Sequence, residues 1–290
     1  MKRAARYAGL ALAWLLLVAY FTYLRFPYGR LRPVIEQRLA ALGIGQIAFD
    51  EIGATPLGGV RLGGVSWTAP GAPASQAVAI DRLDLAPAYT KLVRRARGVS
   101  FDARLAGGSA HGTAALTAEG HRQIAARFDG IDLAKAKIPG LGAGLQGSIG
   151  GKVDVDLAGG PAEGGNGSFH LEALDGTVPP GVSPALAILP APIRFAKLGV
   201  DATLDGSKLE ITELALAGPD LEGAATGTIT LRGRSIANGQ LNADVKFKLP
   251  DGSGLKAAEM LLAGARMKKD NEGFYGLKLA GTVSSPVPRI

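Results

Sequence analysis

Gln240-Leu241-Asn242-Ala243-Asp244-Val245-Lys246-Phe247-Lys248-Leu249 alternates polar and apolar side chains from end to end. Successive side chains of a strand point to opposite faces, so this spacing gives one buried face and one wet face. That is the mark of a half-buried antiparallel strand. The pattern repeats outward from this stretch. It recurs in Lys152-Val153-Asp154-Val155-Asp156-Leu157, Ser168–Glu172, Lys208–Thr212 and Tyr275–Leu279.

Turn signals separate these runs: Gly107-Gly108, Gly159-Gly160-Pro161, Asp175-Gly176, Asp205-Gly206, Asn238-Gly239 and Asp251-Gly252. Asp205-Gly206 lies between Val200–Leu204 and Lys208–Thr212, which predicts a hairpin. Leu209 and Ile211 are followed by Leu214 and Leu216, a change of parity that a bulge near Thr212-Glu213 would repair. Asn166-Gly167-Ser168, formally a glycosylation acceptor, reads as a turn. The 42 glycines among 290 residues are about twice the ordinary usage of roughly 7%, as many short strands and tight turns would require.

Two stretches break the alternation. Val178 to Pro192 holds Pro179, Pro180, Pro184, Pro190 and Pro192, which excludes a central strand and predicts a crossing loop. Leu255, Ala258, Leu261, Leu262 and Ala265 recur at helical spacing and predict an amphipathic helix lying on the sheet. The crossing divides the β region 44–290 into 44–178 and 193–290, read as halves of one sheet.

Tyr7 to Leu24 carries no charge and is bounded by Arg6 and Arg25. At 1.5 Å per residue it spans roughly 27 Å, against a hydrocarbon core of about 30 Å. Lys2, Arg3, Arg6 and Arg25 flank this span, and Tyr20 and Tyr23 stand near its end, as aromatic rings do at a membrane interface. The bulky run Ala19-Tyr20-Phe21-Thr22-Tyr23-Leu24 lacks the small-residue pattern of a cleaved signal. Residues 1–24 are therefore expected to be a cytoplasmic tail and transmembrane anchor, with the chain beyond them on the outer side by the positive-inside rule. Val34, Ile35, Leu39 and Leu42 predict a short juxtamembrane amphipathic helix within 25–43. The expected fold class is mainly β: a transmembrane helix, then an extended, twisted antiparallel sheet with one or two short amphipathic helices.

Of the net charge of +7, all but one unit resides at the start of the chain, where Lys2, Arg3, Arg6, Arg25, Arg30, Arg32 and Arg38 face Glu36 alone. A nucleic-acid binder carries its excess on the folded domain, so nucleic acid is excluded as a partner and anionic headgroups are favoured. The absence of cysteine excludes disulfides, thiolate metal sites and Cys nucleophiles. Gly142-Ala143-Gly144-Leu145-Gln146-Gly147 matches G-x-G-x-x-G by letter but precedes a strand, where the dinucleotide motif needs a helix. Gly151-Lys152 lacks the remainder of a P-loop. His111, His121 and His170 are isolated and read as polar strand or loop residues. No G-x-S-x-G elbow is present, and Trp67 alone could serve as an aromatic sugar platform outside the anchor. No catalytic, cofactor or metal residue is assigned. Lys91, Arg94, Arg95 and Arg97 form the one basic cluster beyond the juxtamembrane region, a solvated turn or a contact for a partner or lipid headgroup.

Several stretches together resemble the N component of the bacterial type II (general) secretion pathway in a short single-anchor form. They are the anchor leading into Phe26-Pro27-Tyr28-Gly29, then Gly59-Val60-Arg61-Leu62-Gly63-Gly64-Val65-Ser66-Trp67, Ile80-Asp81-Arg82-Leu83-Asp84-Leu85, and Gly107-Gly108 with Gly112. Gly227-Thr228-Ile229-Thr230-Leu231 and Leu277 to Pro286 complete the set. AsmA-like envelope proteins, with extended grooved sheets, are more distantly similar. The resemblance implies a single-pass inner-membrane protein with its β domain in the periplasm, working with other type II secretion subunits. It brings no catalytic motif. A lipid-handling role is the alternative it leaves open. A continuous apolar groove would favour lipid handling, and a closed core with polar outer faces would favour a scaffold.

Overall fold

The computed structural model describes residues 14–15, 17–23, 25–33, 36–37, 46–55, 58–68, 77–89, 97–136, 144–158, 164–180, 192–231, 239–251, 253, 255, 259, 267–283 and 285–289. Lys2, Arg3 and Arg6, the cluster residues Lys91, Arg94 and Arg95, and most of the expected crossing loop and of both amphipathic helices lie outside them. The chain is mainly β. Residues 14–15, 17–23 and 25 are helical, and among the described residues no helix is long and apolar enough to cross a membrane.

The strands are β1 Gln46–Ala48, β2 Glu51–Thr55, β3 Gly59–Thr68, β4 Val78–Pro87, β5 Arg97–Leu105, β6 Gly108–Leu116, β7 His121–Asp132 and β8 Gln146–Ala158. They continue as β9 Gly165–Val178, β10 Ile193–Gly206, β11 Lys208–Ala217, β12 Glu222–Thr230, β13 Gln240–Lys248, β14 Tyr275–Thr282 and β15 Ser285–Arg289. β1 and β2 both pair with β3, and from β3 onward each strand pairs with the next. Every pairing is antiparallel. The result is one meandering sheet. At about 4.8 Å per strand it extends roughly 60 Å from β3 to β15 along the sheet. β9 pairs with β10 from Val178 opposite Ile193 to Gly165 opposite Gly206, so the stretches on either side of the crossing belong to the same sheet.

Local chemistry sets the corners. Ala106 and Gly107 both have positive φ, 50° and 81°, as a tight two-residue hairpin between β5 and β6 demands. The hairpin expected at Asp205-Gly206 is present one residue later: Asp205 pairs with Lys208, and Gly206 and Ser207 make the turn. The expected bulge is also present. Asp201 faces Glu213 and Ala202 faces Ile211, leaving Thr212 as the extra residue. Its hydroxyl donates to the Asp201 carbonyl at 3.0 Å, which gives the bulge a hydrogen bond of its own.

Two expected turns are not turns. Asp175-Gly176 lies inside β9, where Asp175 takes φ 49° and the register against β8 slips between Gln146 and Ser148. It is a bulge. Asn166-Gly167-Ser168 is also inside β9. Much of the glycine likewise serves strands instead of corners. A Cβ on Gly112 would stand 2.8 Å from the Phe101 ring, and one on Gly151 would stand 3.1 Å from both Phe128 and Leu171. A Cβ on Gly176 would collide with the ring of Phe195. These glycines leave room for large side chains of the neighbouring strand to lie across the sheet.

Two clusters of buried apolar side chains stand out among the described residues. Near the start, Phe49, Leu62 and Val65 pack with Ile47, Ile52, Ile80 and Leu83. Gly64, at φ 58°, and Asp81 drop out of the β3–β4 pairing, and this kink lets Leu62–Leu83 and Val65–Ile80 face one cluster. Further on, Ile193, Leu249 and Leu255 pack with Val178 and Leu221. The end of the N-terminal helical segment is tied to the first of these regions. The Tyr23 hydroxyl donates to the Gly59 carbonyl at 2.5 Å, and the Tyr28 hydroxyl donates to the Tyr23 carbonyl at 2.9 Å.

Candidate functional site

Directly opposed residues of adjacent strands share a face, so the register reads out each face strand by strand. One row runs Leu62, Leu83, Ala103, Ala110, Phe128 and Gly151 across β3 to β8. It continues Leu171, Val200, Leu214, Ala225, Val245 and Leu277 across β9 to β14. The next row on this face runs Val60, Leu85, Phe101, Gly112, Ala126 and Val153, then Phe169, Ala202, Ile211, Gly227, Ala243 and Leu279. Neither row contains a polar side chain. Most of these residues are half-buried, and Val99 and Ile124, on the same face of β5 and β7, are 44% and 36% exposed.

Between those two rows, on the opposite face, the register gives Arg61, Asp84, Asp102, His111, Arg127, Lys152, His170, Asp201 and Glu213. Every member is ionisable. One strip of backbone therefore divides an apolar surface that runs from β3 to β14 from a row of ionisable side chains that runs from β3 to β11.

Short ion pairs cross the charged face. Arg61 and Arg82 grip Asp84 at 2.7 and 2.6 Å. Their hydrogen bonds hold the Asp84 carboxyl at about 2, below its ordinary 3.8. This relieves the juxtaposition of Asp84 and Asp102 across β4 and β5. Lys197 meets Glu172 at 2.6 Å and lowers its pKa by that hydrogen bond. His121 and His170 lie on strands of this face, against Asp156 at 3.2 Å and Asp201 at 2.7 Å, as polar strand residues. His170, Glu172, Lys197, Asp201 and Glu213 border an open recess of about 290 Å³. Among the described residues no group of three or more His, Cys, Asp or Glu side chains is placed to hold a metal ion.

The residues singled out in the sequence do not converge. Tyr20, Tyr23 and Arg25 belong to the helical segment before the sheet, and Arg97 opens β5 opposite Leu116. Gln146 and Gly147 of the G-x-G-x-x-G match enter β8, as do Gly151 and Lys152, so neither glycine motif meets the helix N-terminus that phosphate binding uses. The feature that single motifs miss is an uninterrupted apolar face backed by a row of ionisable side chains. Its signal lies in the alternation itself, once register aligns the apolar positions of neighbouring strands. The chain matches no family model, no curated protein and no solved structure.

Proposed function

We propose that this chain is a non-enzymatic component of the bacterial inner membrane, the N-type subunit of a type II secretion platform, with the sheet on the periplasmic side as its docking surface. The observation that carries this reading is the two-faced sheet: a broad surface whose chemistry suits adhesion and not bond-breaking. The stretches behind the resemblance form β3, most of β4, the β5–β6 corner, the end of β12 and β14, so they are elements of that surface. Segment 7–24 supplies the attachment in this proposal.

A second reading, AsmA-like lipid handling, is favoured by one specific feature. The apolar rows run unbroken from β3 to β14 and are mostly half-buried, which suits acyl chains as well as a protein partner. One experiment separates the two. The full-length chain is extracted in mild detergent and captured, and both proteins and lipids in the eluate are identified by mass spectrometry. Other type II secretion subunits at stoichiometric levels support the platform reading, and lipid without those subunits supports the second. Neither would overturn both.

A further inference from the structure

We infer that β15 is a terminator, a strand whose outer rim refuses pairing with a second copy of this chain. The inference stands on strand geometry alone and needs neither functional reading. β15 reads Ser285-Pro286-Val287-Pro288-Arg289 and is the last strand of the sheet. It pairs with β14 in regular register: Ser285 faces Thr282, Val287 faces Ala280 and Arg289 faces Lys278.

In an antiparallel ladder, alternate residues exchange both backbone bonds with their partner, while the residues between them aim N–H and C=O away. Proline has no N–H to exchange. The bonded positions must then be Ser285, Val287 and Arg289. Pro286 and Pro288 occupy the outward positions, so the rim offers carbonyl acceptors but no amide donors from either. A strand arriving from solvent would find those donors missing, and proline rings where its own backbone must approach. Arg289 adds a charge that two such rims would bring together.

The geometry matters because of what the rim would otherwise do. The apolar face of the sheet is continuous up to β14, so an open β15 would let a second copy pair by a two-fold axis and double the length of that surface. The opposite end is treated differently. There the short 3-10 helix Tyr28–Leu31 packs against β2.

The test uses the full-length chain in detergent. The chain has no cysteine, so Val287→Cys provides a single reporter on a residue that is 54% exposed. Under mild oxidation this variant is expected to remain monomeric. Adding Pro286→Thr and Pro288→Thr restores both donors and is expected to produce a concentration-dependent disulfide-linked dimer, roughly doubling the mass seen by light scattering. Ready cross-linking of the Val287→Cys chain with its prolines intact would overturn the inference. So would a proline-free chain that stays monomeric while hydrogen exchange shows β14 still protected by β15. Should the double replacement unpair β15, Pro288→Thr alone restores one outward donor, and its failure to dimerise with β14 protected overturns the inference equally.

Discussion

The two buried clusters are both apolar, but what anchors the chain beside each of them differs. Near the start, Phe49 sits at the break between β1 and β2 and is 1% exposed among aliphatic neighbours, with the Arg32 guanidinium 5.7 Å over its ring. Further along, beside the Ile193–Leu249–Leu255 cluster, Asp220 is 2% exposed and pairs with Arg194. It accepts from the Arg194 backbone N–H at 3.0 Å, from Arg194 Nε at 2.8 Å and from Arg194 Nη2 at 3.0 Å. Its backbone carbonyl takes the Ser253 hydroxyl at 2.7 Å, and the Ser253 oxygen in turn accepts the Leu255 N–H. A single-layer sheet has no second layer to bury its ends. One region uses a ring wedged into a strand break, and the other uses a carboxylate that gathers loose backbone from three segments.

Replacing each centre tests that contrast. Phe49→Ala should cost about 4 kcal/mol in urea unfolding, since a fully buried ring leaves a cavity that strands on one layer cannot all collapse into. Asp220→Ala should cost about 3 kcal/mol, because it strands an N–H and removes the partner of a guanidinium. Equal tolerance of both changes would erase the distinction. The smallest effect belongs to the charged face near the first cluster. Asp84 has its pKa depressed to about 2 by Arg82 and Arg61. A depressed carboxyl stabilises the fold fully above its unfolded pKa and loses that contribution as pH falls through the folded value. Asp84→Asn should therefore lower stability by about 1 kcal/mol at neutral pH, after allowance for its partial exposure. The difference from the parent should shrink as pH falls below about 4 and close only below about pH 2. A difference at pH 2 as large as at neutral pH would rule out the linkage.

Much of the architecture was legible in the alternating runs. Lys152–Leu157, Ser168–Glu172, Lys208–Thr212, Gln240–Lys248 and Tyr275–Leu279 are all strand, and the parity change after Ile211 marked the Thr212 bulge. Asp175-Gly176 misled because the same positive φ that builds a turn also builds a bulge, and only the partner strand decides between them. The role of Gly112 and Gly151 was not legible, because a glycine read alone says nothing of the ring that crosses it. β15 was hidden by its prolines, which argue against strand until one notes that they occupy alternate positions. The candidate surface was legible only in part. Each strand declared an apolar side, but continuity of that side from β3 to β14 depends on registers set by bulges and kinks. Asp220 gave no local sign, since its partners Arg194 and Ser253 are far away in sequence.

The meander has a kinetic consequence. Nearly every strand finds its partner next to it along the chain, so closing each pair costs little loop entropy and the mean sequence separation of contacts stays low for an all-β protein. A chain of this kind can fold hairpin by hairpin in the order of its synthesis, each new strand adding to a completed edge. β15 can pair only once β14 is in place. Until it does, the growing sheet ends on an open strand, and that edge is where the nascent sheet is exposed to misassociation.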